Sequence, residues 1–238
     1  MRNDARITFV EHLEELRVRI LKSLVVYLIA SCLFFYCLDP LMPLILRPVG
    51  RLVSIAPAET FLVYIHLTLL GGFFAASPYI FYHIWGFIAV ALKPEEKKYA
   101  GAFGIFSILF FLAGAAFGLF FVMPIGLRFL LGFSTGDIVP MISVRHYISF
   151  VGTLTLSFGA VFEMPIAVTF LTAAGIVTPR VLAEYRRFAI LGIFIVAAFL
   201  TPPDVVTQIL LAVPMIALYE ISLMASRWIC RKRVDRTD

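Results

Sequence analysis

The chain of 238 residues is 61% apolar and only 15% charged, with a mean hydropathy of +0.98; a soluble domain is about 45–50% apolar and about 25% charged. That excess excludes a water-soluble globule and makes lipid the solvent for much of the surface, which the 24 phenylalanines suit. The net charge of +5 calls for no nucleic-acid partner, because the basic residues fall where membrane topology asks for them.

Residues 1–19 read as an amphipathic cytoplasmic segment. A cleavable signal peptide would instead show an apolar core followed by small residues. Thr8 and Glu11 have the spacing of a capping box, and Ile7, Val10, Leu13, Leu16 and Ile20 recur at helical spacing. Glu11, Glu14 and Glu15 crowd the same helix. Glu11 and Glu15 repel at four residues' separation, whereas Glu15 and Arg19 stand in the favourable acid-before-base order. A solvated interfacial helix accounts for this pattern. So does an anionic patch that binds a guanidinium through bidentate, charge-assisted hydrogen bonds.

Apolar runs follow at 20–38, 63–92, 101–123, 147–176, 188–200 and 205–225. A hydrocarbon core of about 30 Å needs about 20 helical residues. The expected fold is therefore all-α, one integral membrane domain of six helices with two short final ones. The fifth run gives only about 20 Å of helix. Six spans put both termini on one side, and 16 of the 20 Lys and Arg then share that side with them. Only Arg47, Arg51, Arg128 and Arg145 lie opposite. The positive-inside rule makes both termini cytoplasmic, with a basic tail at 227–238. The opposite loops, 39–62 and 124–146, are long enough to cap the bundle, and Pro40, Pro43, Pro48 and Pro57 argue for irregular structure in the first.

Between the second and third runs stands Lys93-Pro94-Glu95-Glu96-Lys97-Lys98. Pro94 suits the first turn of a helix, and the two carboxylates then complement its dipole. A functional role needs one of them to face the amino-terminal glutamates across the cytoplasmic surface. Glu163 lies inside the fourth run, before Pro165, which removes a backbone donor and kinks the helix. An ionisable group at this depth faces a bundle interior or a water-filled cavity. Thr201, Thr207 and Gln208 form a smaller polar set around Pro202-Pro203, and Asp204 suits a cap for the last helix. Glu220 is placed to reach the interface or to pair with Arg227. Cys32, Cys37 and Cys230 form no CxxC pair, and packing is the default reading of the first two. His12, His66, His83 and His146 have no metal-ligand spacing, and neither a phosphate loop nor a nucleophile elbow occurs. The sequence thus points to no enzyme, metal or cofactor.

Four motifs carry a resemblance. They are His12-Leu13-Glu14-Glu15-Leu16-Arg17; Ser77-Pro78-Tyr79-Ile80-Phe81-Tyr82-His83-Ile84-Trp85-Gly86-Phe87-Ile88; Ser157-Phe158-Gly159 with Phe162-Glu163-Met164-Pro165; and Leu200-Thr201-Pro202-Pro203-Asp204-Val205-Val206-Thr207-Gln208, followed by Leu211-Ala212-Val213-Pro214-Met215. In this order the chain resembles the TatC subunit of the twin-arginine protein translocase over nearly its whole length. The resemblance implies a glove-shaped receptor in a bacterial inner membrane that binds twin-arginine signal peptides and nucleates export of folded proteins. It implies Glu15 and Glu96 as partners of the two signal arginines, with Glu95 an alternative to its neighbour, and Arg17 and Phe87 as supporting residues. It further implies an intramembrane role for Glu163, with the apolar part of the signal inserting nearby. Thr201 and Gln208 would contact single-span partner subunits (TatA/TatB-like), and homo-oligomers and the proton motive force complete the picture. Departures are His83 for the usual Gln, Val90 for a frequent Pro, and Lys97-Lys98 where an Arg pair often stands. The competing reading is a proton-coupled small-solute transporter that uses Glu163, which would require inverted repeats and paired broken helices.

Overall fold

The computed structural model describes residues 9–49, 52–92, 94–132, 141–200 and 205–234. Helix α1 (Phe9–Phe35) runs without a break from the acidic segment into the first apolar run, since no Gly or Pro interrupts it. After it come α2 (Leu38–Leu46) and α3 (Pro57–Ala91), with Pro57 in the first helical position, where its missing N–H costs nothing. Pro78 lies inside α3 and leaves the Phe74 carbonyl without its usual donor. The Ser77 hydroxyl supplies one at 2.8 Å, so the span stays continuous.

Helix α4 (Pro94–Phe117) opens on Pro94, as the sequence suggests. It passes through one π-helical turn, Gly118–Val122, into α5 (Met123–Leu131). Pro124 cannot donate back to Phe120, and the wider turn just before it absorbs that loss. Helix α6 (Val144–Phe162) stops at Glu163, and α7 (Met164–Ala173) resumes beyond it, so the Pro165 kink is a true break. The chain ends with α8 (Pro179–Glu184), α9 (Arg186–Leu200) and α10 (Val205–Val234).

Among the described residues, five segments are long and apolar enough to cross a membrane: Val10–Phe35, Pro57–Val90, Gly101–Leu131, Val144–Ala173 and Val205–Cys230. The sixth expected span is α9, whose 15 residues are short for a bilayer. The short-helix expectation holds for α9 and fails for α10. That helix has 30 residues because the basic segment continues it to Val234.

Helix α6 forms the centre. Tyr147, Ile148, Val151, Leu154 and Phe158 are all nearly inaccessible and pack with Val63 and Leu67 of α3 and with Leu211, Ala212 and Met215 of α10. Small residues set the closest crossings, as membrane helices require. A Cβ on Gly72 would lie 2.1 Å from Ser31 Oγ and 2.4 Å from Ser31 Cα, so α1 and α3 touch backbone to backbone. A Cβ on Gly114 would likewise meet the Phe158 carbonyl at 2.4 Å, fixing α4 on α6. Helices α7 and α10 are joined by the buried hydroxyl pair Thr172–Ser226 at 2.7 Å.

The two loops opposite the start of α1 are tied together. Val53 N donates to the Ile142 carbonyl at 3.0 Å, and Val144 N donates to Val53 at 3.1 Å. Glu59, only 6% exposed, accepts from the backbone N–H of Ile55 (2.6 Å), Ala56 (3.3 Å) and Arg145 (3.0 Å) and from the Ser143 hydroxyl. One carboxylate thus caps α3 and clasps both loops.

Several expectations change here. The first of these loops is not irregular throughout. Residues 38–46 form α2, with Pro40 in its permissive first turn and only Pro43 at an interior cost. Much of 124–146 is also helical, through Leu131. Glu220 pairs with Arg186 of α9 at 2.6 Å rather than with Arg227. Cys32 and Cys37 are exposed instead of packed. The suggested caps at Thr8 and Asp204 lie outside the described residues.

Candidate functional site

The first turns of α1 and the last turns of α3 lie side by side. They cross in this register because Ser31 and Gly72 fix the contact four turns further along. Glu11, Glu15, Val18, Arg19 and Lys22 recur at helical spacing on the face of α1 that meets α3. With Glu14 and with Tyr82 and His83 of α3 they line an open cleft of about 520 Å³. Three carboxylates therefore edge one concavity, beside two cations of the same helix.

Glu15 is held. Arg19 Nε donates to Glu15 Oε1 at 3.0 Å and Nη2 donates to the same oxygen at 2.6 Å. The third guanidinium nitrogen, Nη1, reaches the His83 carbonyl at 3.5 Å. It fits there because α3 carries Gly86, where a Cβ would sit 2.4 Å from Nη1. Nearby, the Phe87 ring stacks on His12 with centroids 4.3 Å apart.

A second hollow, of about 590 Å³, begins where the cleft ends. Arg19 and His83 line both. Apart from Ser23, the rest of its lining is apolar or aromatic: Leu16, Ile20, Leu24 and Tyr27 of α1 and Phe73, Ile80, Ile84 and Phe87 of α3. Tyr27 and Phe73 pass on to a third hollow of about 330 Å³ that reaches Gly152, Thr153 and Leu156 of α6. Leu156 stands two turns before Glu163 on the same helix face. The sequence of hollows is thus acidic mouth, apolar groove, then the central helix.

Of the expected site residues, Glu15 lines the cleft and Phe87 the groove. Arg17 is exposed and lines neither, because it lies about 200° around α1 from Glu15. Glu95 and Glu96 fall in the first turn of α4, four and five residues past the end of α3, and their side chains lie outside the described residues. Glu163 sits at the α6–α7 break, apart from the cleft. Its Oε1 is buried without a hydrogen-bond partner, and Ser107 and the Phe111 backbone are its polar neighbours. Ser107 in turn accepts from Trp85 Nε1 at 2.9 Å. Gln208 donates to the Phe194 carbonyl at 3.0 Å, which ties α10 to α9, while Thr201 lies outside the described residues.

Sequence reasoning missed Tyr82, His83, Gly86 and Lys22. The available signal was the spacing of Ile80, His83, Ile84 and Phe87, which puts them on one face of α3.

Residues 11–214 match the profile of the family described as Sec-independent protein translocase protein (TatC). The chain is 38% identical to the Sec-independent protein translocase protein TatC of Desulforapulum autotrophicum, over 98% of this chain and 88% of that one. It is 39% identical to the protein of the same name from Aquifex aeolicus, over 94% of this chain and 97% of the other. A crystal structure described as the twin arginine translocase receptor TatC superposes with a TM-score of 0.84 at 39% identity, covering 92% of this chain and all of that one.

Proposed function

The chain belongs to the TatC family of Sec-independent protein translocases, and from that premise we propose that the cleft between α1 and α3 is where it receives a twin-arginine signal peptide. The protein is a membrane-embedded, non-enzymatic translocase subunit for proteins that carry such signals. The family assignment leaves the small-solute transporter reading without support.

One observation carries the choice of site. An acidic cleft and an apolar groove meet at Arg19 and His83, in the order a ligand with basic residues followed by an apolar stretch would need. Glu15 offers a carboxylate oxygen to one signal arginine, since Arg19 occupies only Oε1. Glu96, or Glu95 beside it, supplies the second carboxylate from the start of α4. Phe87 packs the groove wall just below. Arg17, exposed on the far side of Glu15, acts at the membrane surface rather than in the cleft. The apolar part of the signal follows the groove toward the face of α6 that leads to Glu163.

Both termini are cytoplasmic in the bacterial inner membrane, and the chain forms a single integral membrane domain. Sixteen of the twenty basic residues then share the side of the cleft, which also suits an anionic leaflet. Thr201 and Gln208 contact single-span partner subunits, and several copies assemble into one receptor complex. The proton gradient drives transport.

The test is site-specific photo-crosslinking of a twin-arginine signal peptide to probes beside Glu15 and Glu96, with a twin-lysine peptide as control. Lysine keeps the charge and loses the planar fork. Crosslinks at both positions that fade with lysine support the assignment. Crosslinks that are absent, or equal for the two peptides, overturn it.

A further inference from the structure

The imidazole of His83 is the least satisfied group near the cleft. Both ring nitrogens are buried, and neither has a hydrogen-bond partner among the described residues. A neutral imidazole carries one donor and one acceptor. Burying both unpaired costs free energy that a phenyl ring would avoid, so packing alone does not explain this side chain. Its edge contacts with Tyr79 at 4.5 Å and Tyr82 at 5.4 Å are ones a phenyl ring would keep. Tyr82 is 67% exposed, so the ring on that side can move and let the imidazole turn into the cleft it already lines.

The place of His83 matters as much as its lack of partners. It lies at the step between the acidic cleft and the apolar groove and lines both. A peptide crossing that step leaves water with its main chain still unpaired. Its basic residues find carboxylates, and its apolar residues find the groove. The first N–H groups of a helix that begins there have no partner of their own, and lipid offers none.

We propose that His83 is a specificity-determining residue that hydrogen-bonds the main chain of the bound signal where it passes from its basic pair into its apolar segment. The acceptor nitrogen takes an N–H of the first apolar turn, and the donor nitrogen serves a carbonyl just before it. This rests on the cleft being the signal-binding site, and it adds a contact that reads backbone position rather than side-chain charge. It therefore sets how many residues separate the arginines from the start of the apolar run.

The experiment measures binding of a twin-arginine signal peptide to the detergent-solubilised full chain carrying His83→Phe or His83→Gln. The Phe variant keeps ring shape and should unfold no earlier than the parent, yet bind roughly ten- to a hundredfold more weakly, the equivalent of two lost hydrogen bonds. The Gln variant keeps a donor and an acceptor and should bind within about threefold. A scan of N-methylated peptides should find one position after the arginines that weakens binding to the parent but not to the Phe variant. Parental affinity in the Phe variant, with Glu15→Gln still losing binding, overturns the role of His83 and leaves the site standing. Loss of binding by neither variant overturns both. If the Phe variant does not fold, the scan on the parent decides: equal affinity for every methylated position rejects the backbone contact.

Discussion

Arg19 closes on Glu15 through two nitrogens that share one carboxylate oxygen, at 3.0 and 2.6 Å, so an arginine of the chain already engages the carboxylate proposed for a signal arginine. The pair is four residues apart on one helix and part-exposed, worth about 0.3–0.5 kcal/mol to stability. Its effect on geometry is larger, because it fixes which oxygen of Glu15 faces the cleft. Arg19→Gln should leave the unfolding temperature within about 2 °C while reducing discrimination between twin-arginine and twin-lysine peptides several-fold. Gly86→Ala should do the same from the opposite helix by displacing Nη1. The double variant should be no worse than either single one, as expected for residues acting through one contact. Peptide affinities for the four proteins measure this, and additive losses would separate the two residues.

The crossing of α1 on α3 should be intolerant of a single methyl group. At Gly72 a Cβ meets the Ser31 backbone, which cannot rotate away as a side chain can. Gly72→Ala should cost about 1–3 kcal/mol through overpacking. It should also weaken signal binding, because Glu15 and His12 sit on one helix and His83 and Phe87 on the other. Thermal unfolding and peptide affinity should fall together. A variant that loses stability but binds normally would show that the cleft does not depend on this crossing.

Most of the fold was legible in the sequence because each signal was local. Apolar runs of spanning length, the charge bias and the prolines at 94 and 165 each act within one helix. The errors arose where a local rule met tertiary support. Pro43 argues against helix, yet Leu38 is wholly buried and anchors α2 on the core. Glu220 had a plausible partner seven residues away and took Arg186 of the neighbouring helix instead. Within the site, Glu15 and its pairing with Arg19 followed from spacing on one helix. The placing of His83 and Gly86 against α1 did not, since it depends on which face of α3 meets α1, and that is set by the Ser31–Gly72 contact far along both helices.

Glu59 should govern the integrity of the cap opposite the cleft. Its two oxygens face three backbone N–H groups and the Ser143 hydroxyl, so every near neighbour is a potential donor. Glu59→Gln exchanges one acceptor oxygen for an NH2 that must point at another donor. The expected outcome is a lower unfolding temperature and faster protease cleavage within residues 47–56, reached from the side opposite the cleft. Signal binding at the cleft should persist, because the two sites lie at opposite ends of α3. Unchanged cleavage in Glu59→Gln would mean that the Val53–Ser143 backbone contacts hold the loops without the carboxylate.

The strictest demand falls on the two carboxylates proposed for the signal arginines. Gln is close in shape to Glu and keeps a carbonyl acceptor, but it removes the negative charge that pairs with the guanidinium and replaces one acceptor oxygen by an NH2. Hydrogen bonds to charged groups contribute about 1.5–3 kcal/mol each, so each single variant should lose roughly ten- to a hundredfold in signal affinity. The double variant Glu15→Gln, Glu96→Gln should then export no detectable twin-arginine substrate. It should still insert into the membrane at the parental level, since neither substitution adds a charge to a spanning segment and the basic residues that set topology are untouched. Parental export by the double variant at matched protein level would remove both carboxylates from recognition. The two clusters would then be explained by helix capping and the Glu15–Arg19 pair alone.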